Sequence, residues 1–411
     1  MRAEEHSAIK QIKKCAVVGA GLMGSGIARL LSSYNIPVIL KEKDQALLEK
    51  GLTLTTLEGG SPYENAKDPP PQNLAVSPFI TGTTDYVDLK DADLVIEAVP
   101  EDIRIKEGVF GEISKVVSGQ TIIASNTSSF SISRLSEHVR HPAKFLGMHF
   151  FYPADKRELV EVVHGKATGA AVANEAVSFL RRIGKIPIIV KDGPGFLVNR
   201  IVIFYLNEAV NCLADGMQIE ELDRMMVNFG MPVGPFSLMD LVGIELSYTI
   251  GKNVAEGLNS PRLKISPVVI NLYDGYRSSK NICWYIDQGE KRVPNQGLYE
   301  LLEIKRQKTT APREHYLNRI VYTIINEASR CLEEGLVSEP ELVDLGLTLG
   351  MGFPYGGPLS YADSVGLSKI VDSLDSFKQM HGERFTCSGL LRDMAEANKN
   401  FYTREQTNTK P

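Results

Sequence analysis

A chain of 411 residues exceeds what one hydrophobic core usually serves, so two or three domains are expected. Its 43% hydrophobic and 23% charged residues are ordinary for a globular protein, and 15 Tyr with 15 Phe argue against general disorder. A formal net charge of -5 offers no basic stripe to a polynucleotide, and no apolar run approaches the ~18 residues of a membrane span, so neither nucleic acid nor a membrane span is expected. The cysteines Cys15, Cys212, Cys283, Cys331 and Cys387 lie far apart, which predicts neither a metal site nor a disulfide framework. The opening residues carry Arg2, Glu4, Glu5 and Lys10 without an apolar leader, and the ending Thr409-Lys410-Pro411 is not the Ser-Lys-Leu peroxisomal address. The chain reads as intracellular and soluble, with no recognisable targeting signal and with peroxisome or cytoplasm left open.

Cys15–Val18 is a short apolar run ending in Gly19; Leu22–Tyr34 has helical spacing, and Pro37–Leu40 is apolar again, giving strand, helix, strand. Further strand-like runs stand at 94–99, 121–125, 145–151, 159–163 and 186–190, an alternation that predicts a largely parallel sheet covered by helices. Asp192-Gly193-Pro194-Gly195 is dense in turn chemistry, and longer helical patterns follow it, such as 201–213. The stretch 289–308 reads as a connector. These signals predict domains at 12–192, 193–305 and 306–395.

The carboxy-terminal half repeats itself. Asn199-Arg200-Ile201, Asn207-Glu208-Ala209 and Gly216 recur 119 residues later as Asn318-Arg319-Ile320, Asn326-Glu327-Ala328 and Gly335. Gly230-Met231, Pro235 and Asp240–Gly243 answer Gly350-Met351, Pro358 and Asp363–Gly366. Two helical units of this size would pack against each other as partner subunits do, leaving a monomer self-sufficient.

Gly19-Ala20-Gly21-Leu22-Met23-Gly24 matches GxGxxG between a strand and a helix. Gly19 permits the tight turn, Gly21 a close approach of pyrophosphate, and Gly24 close helix packing. Glu42, at the end of the second strand, is placed to accept hydrogen bonds from a ribose 2′-hydroxyl and to repel a 2′-phosphate, so NAD is expected over NADP. If two strands fold about Asp155, His149 falls opposite Glu161, each six residues from the centre. His149 could then serve as a base oriented by the carboxylate, although a histidine before two phenylalanines is also common in cores. Asn126-Thr127-Ser128-Ser129 puts hydroxyls at the carboxyl end of a strand; Ser128 could cap a helix while Thr127 or Ser129 faces a ligand, and spacing does not choose. Asn199 is equally open between a site residue and a cap.

Gly19–Gly24 with Gly26, Glu97-Ala98-Val99-Pro100-Glu101, Ser125–Ser129, Gly147–Pro153, Leu159–Val163 and Gly193–Arg200 together resemble the 3-hydroxyacyl-CoA dehydrogenase family. The duplicated tail is similar to the dehydrogenase half of multifunctional β-oxidation enzymes of peroxisomal and plant type. The resemblance implies a Rossmann-type α/β NAD-binding domain followed by two homologous all-α domains. It also implies oxidation of L-3-hydroxyacyl-CoA with NAD. In that reading His149 is the catalytic base, Glu161 its partner, and Ser128 and Asn199 polar groups around the reacting oxygen. The glycine turn, Glu42, Ala98, Val99, Glu101, Lys106 and Asn126 face the cofactor. Two departures stand out. Tyr152 replaces the usual Asn or Ser, and Lys67 is the only basic residue between 51 and 89, where relatives carry a basic helical arm for coenzyme A. The prolines at 69–71 would break such a helix. The poor arm keeps two alternatives in view, a dehydrogenase of a hydroxy acid without coenzyme A and a catalytically weak NAD-binding regulatory or interaction protein.

Overall fold

The short β-branched runs of the first half become strands because each is flanked by turn residues and covered on both faces, which favours Val and Ile. In the computed structural model, which describes residues 11–57, 75–279, 282–289, 291–304 and 311–402, the chain divides into two compact units, Met1–Asp192 and Gly193–Pro411. Lys67 and the prolines at 69–71 lie outside the described residues.

The first unit runs β1 (Cys15–Val18), α1 (Leu22–Ser33), β2 (Val38–Lys41), α2 (Gln45–Thr55), β3 (Ile80–Thr83), β4 (Leu94–Glu97), α3 (Ile103–Val116), β5 (Ile122–Ser125), α4 (Ile132–Leu135), β6 (Phe145–Phe150), β7 (Leu159–His164), α5 (Ala170–Arg182) and β8 (Ile186–Lys191). The sheet order is β3-β2-β1-β4-β5-β6-β7-β8. Pairing is parallel throughout except between β6 and β7, which run antiparallel. The order reverses between β1 and β4, and the crevice beyond the carboxyl ends of such a pair is where open α/β sheets bind ligands. Leu31, Val38, Leu94, Met148, Val160 and Leu180 belong to one apolar cluster that welds α1 and α5 to the sheet. The sequence pattern misses β3, an edge strand with one buried residue, two threonines and Gly82. It also misses α2 as a helix: Asp44 caps it by accepting from Leu47 N at 2.9 Å, and it reaches Thr55.

The second unit comprises α6 (Val198–Ala214), α7 (Ile219–Phe229), α8 (Pro235–Val242), α9 (Ile244–Leu258), α10 (Pro267–Ser278), β9 (Tyr285–Gln288), β10 (Lys291–Pro294), α11 (Gly297–Leu301), α12 (Arg313–Glu333), α13 (Pro340–Met351), α14 (Pro358–Val365), α15 (Leu367–His381) and α16 (Gly389–Glu396). The unit is largely helical as expected, and the stretch read as a connector carries one addition. β9 and β10 form an antiparallel hairpin, paired through Tyr285–Pro294 and turned at Gly289 with φ +67. Pro294 and the charged run obscured the alternation that marks a hairpin.

The helices from α6 to α10 reappear as α12 to α16, with the same polar anchors. Asp223 accepts from Phe236 N and Ser237 N and so caps α8; Asp344 accepts from Leu359 N and Ser360 N and so caps α14. Asn207 accepts from Ser266 N and donates to Lys264 O, as Asn326 accepts from Ser388 N and donates to Thr386 O. α6 and α12 lie together with reciprocal buried ion pairs: Arg200 Nε reaches Glu327 Oε1 at 2.6 Å and Arg319 Nε reaches Glu208 Oε1 at 3.0 Å. Reciprocity of this kind is the mark of a two-fold arrangement. The sequence pairing of Gly230 with Gly350 is corrected. The left-handed residue ending α7 is Gly230, the one ending α13 is Gly352, and Gly350 lies within α13, which is one residue longer.

Candidate active site

The glycine turn leaves β1 with Gly19 at φ +105, where a Cβ would sit 2.5 Å from Ala98 O at the end of β4. Only glycine tolerates both the angle and the approach. At Gly24 a Cβ would meet Gly19 O at 1.8 Å, so the start of α1 packs directly on the turn. Gly21, by contrast, is exposed and its Cβ position has no atom within 4 Å. Leu22 and Met23 form the first helical turn beyond it, where backbone N–H groups lack intrahelical acceptors and suit an anion. Glu42 follows β2, and its Oε2 accepts from Ala20 N at 2.9 Å, so the carboxylate is fixed against the same turn. An open face at Gly21 beside a held carboxylate fits the pyrophosphate and ribose of a dinucleotide.

Across the switch point, the ends of β4, β5 and β6 carry a continuous polar network. His149, on β6 and 4% exposed, lies in register with Glu161 on β7, which is wholly buried. His149 Nδ1 stands 2.7 Å from Glu161 Oε2, and its Nε2 stands 3.2 Å from Ser128 Oγ. The antiparallel pairing produces this contact, because directly opposed residues share one face. Phe151 meets the imidazole edge-on, with ring centroids 4.6 Å apart. Tyr152, next along, is 39% exposed.

The hydroxyl cluster after β5 sorts itself by partner. Thr127 Oγ1 and Ser129 Oγ donate to Glu101 Oε1 at 2.6 and 3.0 Å, and Ser128 N and Ser129 N donate to the same oxygen at 3.0 and 3.1 Å. This leaves Ser128 as the hydroxyl toward His149. The cap of α4 belongs to Ser131, which accepts from Arg134 N, so helix capping by Ser128 is corrected. Asn126 accepts from Phe150 N at 2.8 Å and so ties the end of β5 to β6 beside the histidine.

Lys106, expected at the cofactor, is 1% exposed and its Nζ lies 2.7 Å from Glu97 Oε1 and 3.2 Å from Glu101 Oε2. Burial alone would pull the ammonium's pKa down, but Glu97 and Glu101 outweigh it and hold the group above its ordinary value. Burial likewise pushes Glu101 up, and Lys106 with the Thr127 and Ser129 hydroxyls brings it below the usual carboxylate range. Glu97, completely buried, is the residue that sequence reasoning passed over: it appears within the quoted motif without a role of its own. The signal was an acid closing the apolar strand β4 with a lysine on the next helix. Asn199 lies in the second unit, second residue of α6; the N-cap there is Leu197 with no side-chain cap, so Asn199 is not the cap.

Comparison with known proteins agrees with this layout. The family description "3-hydroxyacyl-CoA dehydrogenase, NAD binding domain" matches residues 14–193, and that family's C-terminal domain matches twice, at 195–281 and 315–407. The chain is 36% identical over 403 residues to the fatty acid oxidation complex subunit alpha of Shewanella loihica, covering 96% of this chain but 56% of that protein. It thus spans about half the length of the curated relatives it matches. Among solved structures, 3-hydroxybutyryl-CoA dehydrogenase from Escherichia coli superposes with a TM-score of 0.76 at 25% identity, covering 94% of this chain and 99% of that one. The dehydrogenase part of multifunctional enzyme 1 from C. elegans shares the fold, with a TM-score of 0.63 at 22% identity over 93% of this chain and 90% of its own. With its NAD-binding domain and two copies of the C-terminal domain, the chain belongs to the 3-hydroxyacyl-CoA dehydrogenase family.

Proposed function

We propose that the chain oxidises L-3-hydroxyacyl-CoA to 3-oxoacyl-CoA in fatty-acid β-oxidation. The observation that carries this is the buried line Glu161, His149, Ser128 at the carboxyl ends of the sheet. Glu161 holds the proton on Nδ1, which leaves Nε2 basic and able to take the proton of a substrate hydroxyl; the carboxylate stabilises the imidazolium that results. Ser128 Oγ marks where that hydroxyl stands and donates to the carbonyl oxygen as it forms. Bound NAD supplies the acceptor for the hydride that leaves C3. Gly21, Leu22 and Met23 would hold the pyrophosphate and Glu42 the adenosine ribose, with Ala98, Val99, Glu101 and Asn126 as the further residues that would hold the cofactor. Lys106 acts by holding Glu101 rather than by direct contact. Asn199 is assigned to the substrate oxygen on family resemblance.

The same reading divides the chain at 12–192, 193–305 and 306–395, with a monomer as the working unit. The test is NADH absorbance with NAD and 3-hydroxybutyryl-CoA, a longer 3-hydroxyacyl-CoA, or free 3-hydroxybutyrate. Turnover of the thioesters is expected. Turnover of the free acid alone would favour the hydroxy-acid reading that the single basic residue at 51–89, Lys67, suggests. Tight NAD binding with no turnover of any would favour a regulatory role.

A further inference from the structure

Glu97 takes part in no step of that mechanism, yet it is completely buried among apolar strands, a costly placement for a carboxylate unless every oxygen is partnered. Both oxygens are. Oε1 accepts from Lys106 Nζ at 2.7 Å and from Val99 N at 2.8 Å; Oε2 accepts from Ser125 Oγ at 2.6 Å. From these partners two paths lead to the same loop. Through Lys106 the carboxylate fixes Glu101, whose Oε1 gathers Thr127 Oγ1, Ser128 N, Ser129 N and Ser129 Oγ. Through Ser125 it fixes the oxygen that accepts from Thr127 N at 3.3 Å. Both ends of the segment presenting Ser128 to His149 are therefore anchored on one side chain. The Val99 bond ties that same side chain to the turn at the switch point.

We infer that Glu97 is a positioning residue which sets the place of Ser128 against His149 through Lys106–Glu101 and through Ser125. The inference rests on the proposed dehydrogenase reading of the site. A purely structural ion pair would stabilise β4 against α3 without reaching the reaction, so the two roles separate in a double-mutant cycle.

The enzyme, E97Q, S128A and E97Q/S128A are compared for kcat and KM with NAD and 3-hydroxybutyryl-CoA, alongside thermal unfolding. Small misplacement of a reacting group can cost up to about a hundredfold, so E97Q is expected to lower kcat roughly tenfold or more. In the S128A background E97Q should change kcat by less than about twofold, because the group it positions is gone. Equal losses in both backgrounds, or an unchanged kcat in E97Q, overturn the inference. S125A removes one path only and keeps the buried charge pair, so it serves if E97Q does not fold; it should show a smaller loss with the same non-additivity, and additivity there is equally fatal. Inactivity of the natural chain on every thioester would sink the function reading. The positioning claim is then read from the NMR titration of the His149 imidazole, which E97Q should move in the natural background and leave in place in S128A. No movement in either overturns it.

Discussion

A histidine whose Nδ1 meets a buried carboxylate at 2.7 Å can take a substrate proton only at Nε2, and that is the atom facing Ser128. His149→Gln keeps size and polarity but not basicity, so turnover should fall by at least the ~10²-fold typical of general-base loss while NAD affinity stays nearly unchanged. Stopped-flow NADH formation and NAD titration check the two halves, and near-normal turnover would remove His149 from the role. Glu42 makes a separate prediction. Its carboxylate, held by Ala20 N, would face the 2′-phosphate of NADP at close range, so Glu42→Ala should narrow the preference for NAD without abolishing turnover. Equal efficiency with both cofactors in the natural chain would contradict this. The pairing of His149 with Glu161 was legible because strand geometry is a counting rule. The choice among Thr127, Ser128 and Ser129 was not, since it depends on Glu101, 26 to 28 residues away along the chain, collecting the other two hydroxyls. Glu97 was hidden for a related reason, because burial of a charge is visible only once its partners fold around it.

Helices and strands were legible to the degree that their own residues decide them. β1, α1 and α6 carry strong apolar periods, whereas β3 is held chiefly by its neighbour β2, and the β9–β10 hairpin lacks the alternation that would announce it. The internal duplication makes one element testable against its own copy. In the first copy a cavity of about 30 Å³ remains among Ile203, Met239, Ser247, Gly251, Ile265 and Leu272. α9 and α15 are each 15 residues long and each follows a glycine at φ +93, so Ser247 and Gly251 answer Ile370 and Leu374, both wholly buried. A Cβ at Gly251 would find Ile265 Cδ1 at 3.4 Å and Ile203 Cδ1 at 3.6 Å, ordinary contact without clash. Gly251→Ala should therefore stabilise the chain by about 1 kcal/mol, from helix propensity with a small gain in packing. Chemical denaturation measures it, and a destabilised variant would mean that the gap is needed by the helix as it stands.

The whole second unit is built on α6 against α12, and its buried charges fix what happens when one copy is taken away. Arg200 is 1% and Glu208 2% exposed, and each depends on the other copy: Arg200 on Glu327, Glu208 on Arg319. Deleting residues from 306 onward leaves both unpaired beside a bared apolar face, and breaking a buried pair from one side typically costs about 3–5 kcal/mol. The truncated chain has one low-energy remedy. Because Arg200 and Glu208 occupy the same places on α6 that Arg319 and Glu327 occupy on α12, a second truncated chain can present Glu208 to Arg200 and Arg200 to Glu208 across a true two-fold axis. Sedimentation should therefore find a dimer, with aggregation as the competing fate of the exposed face. Arg200→Glu in the truncated chain sets carboxylate against carboxylate in that interface and should drive the dimer to monomer or precipitate. In the chain of 411 residues the second copy already fills the place, so sedimentation should find a monomer at the same concentration. A truncated chain that stays monomeric, soluble and as stable as the whole would show that α6 does not need its partner, and the two-fold account of the duplication would fall with it.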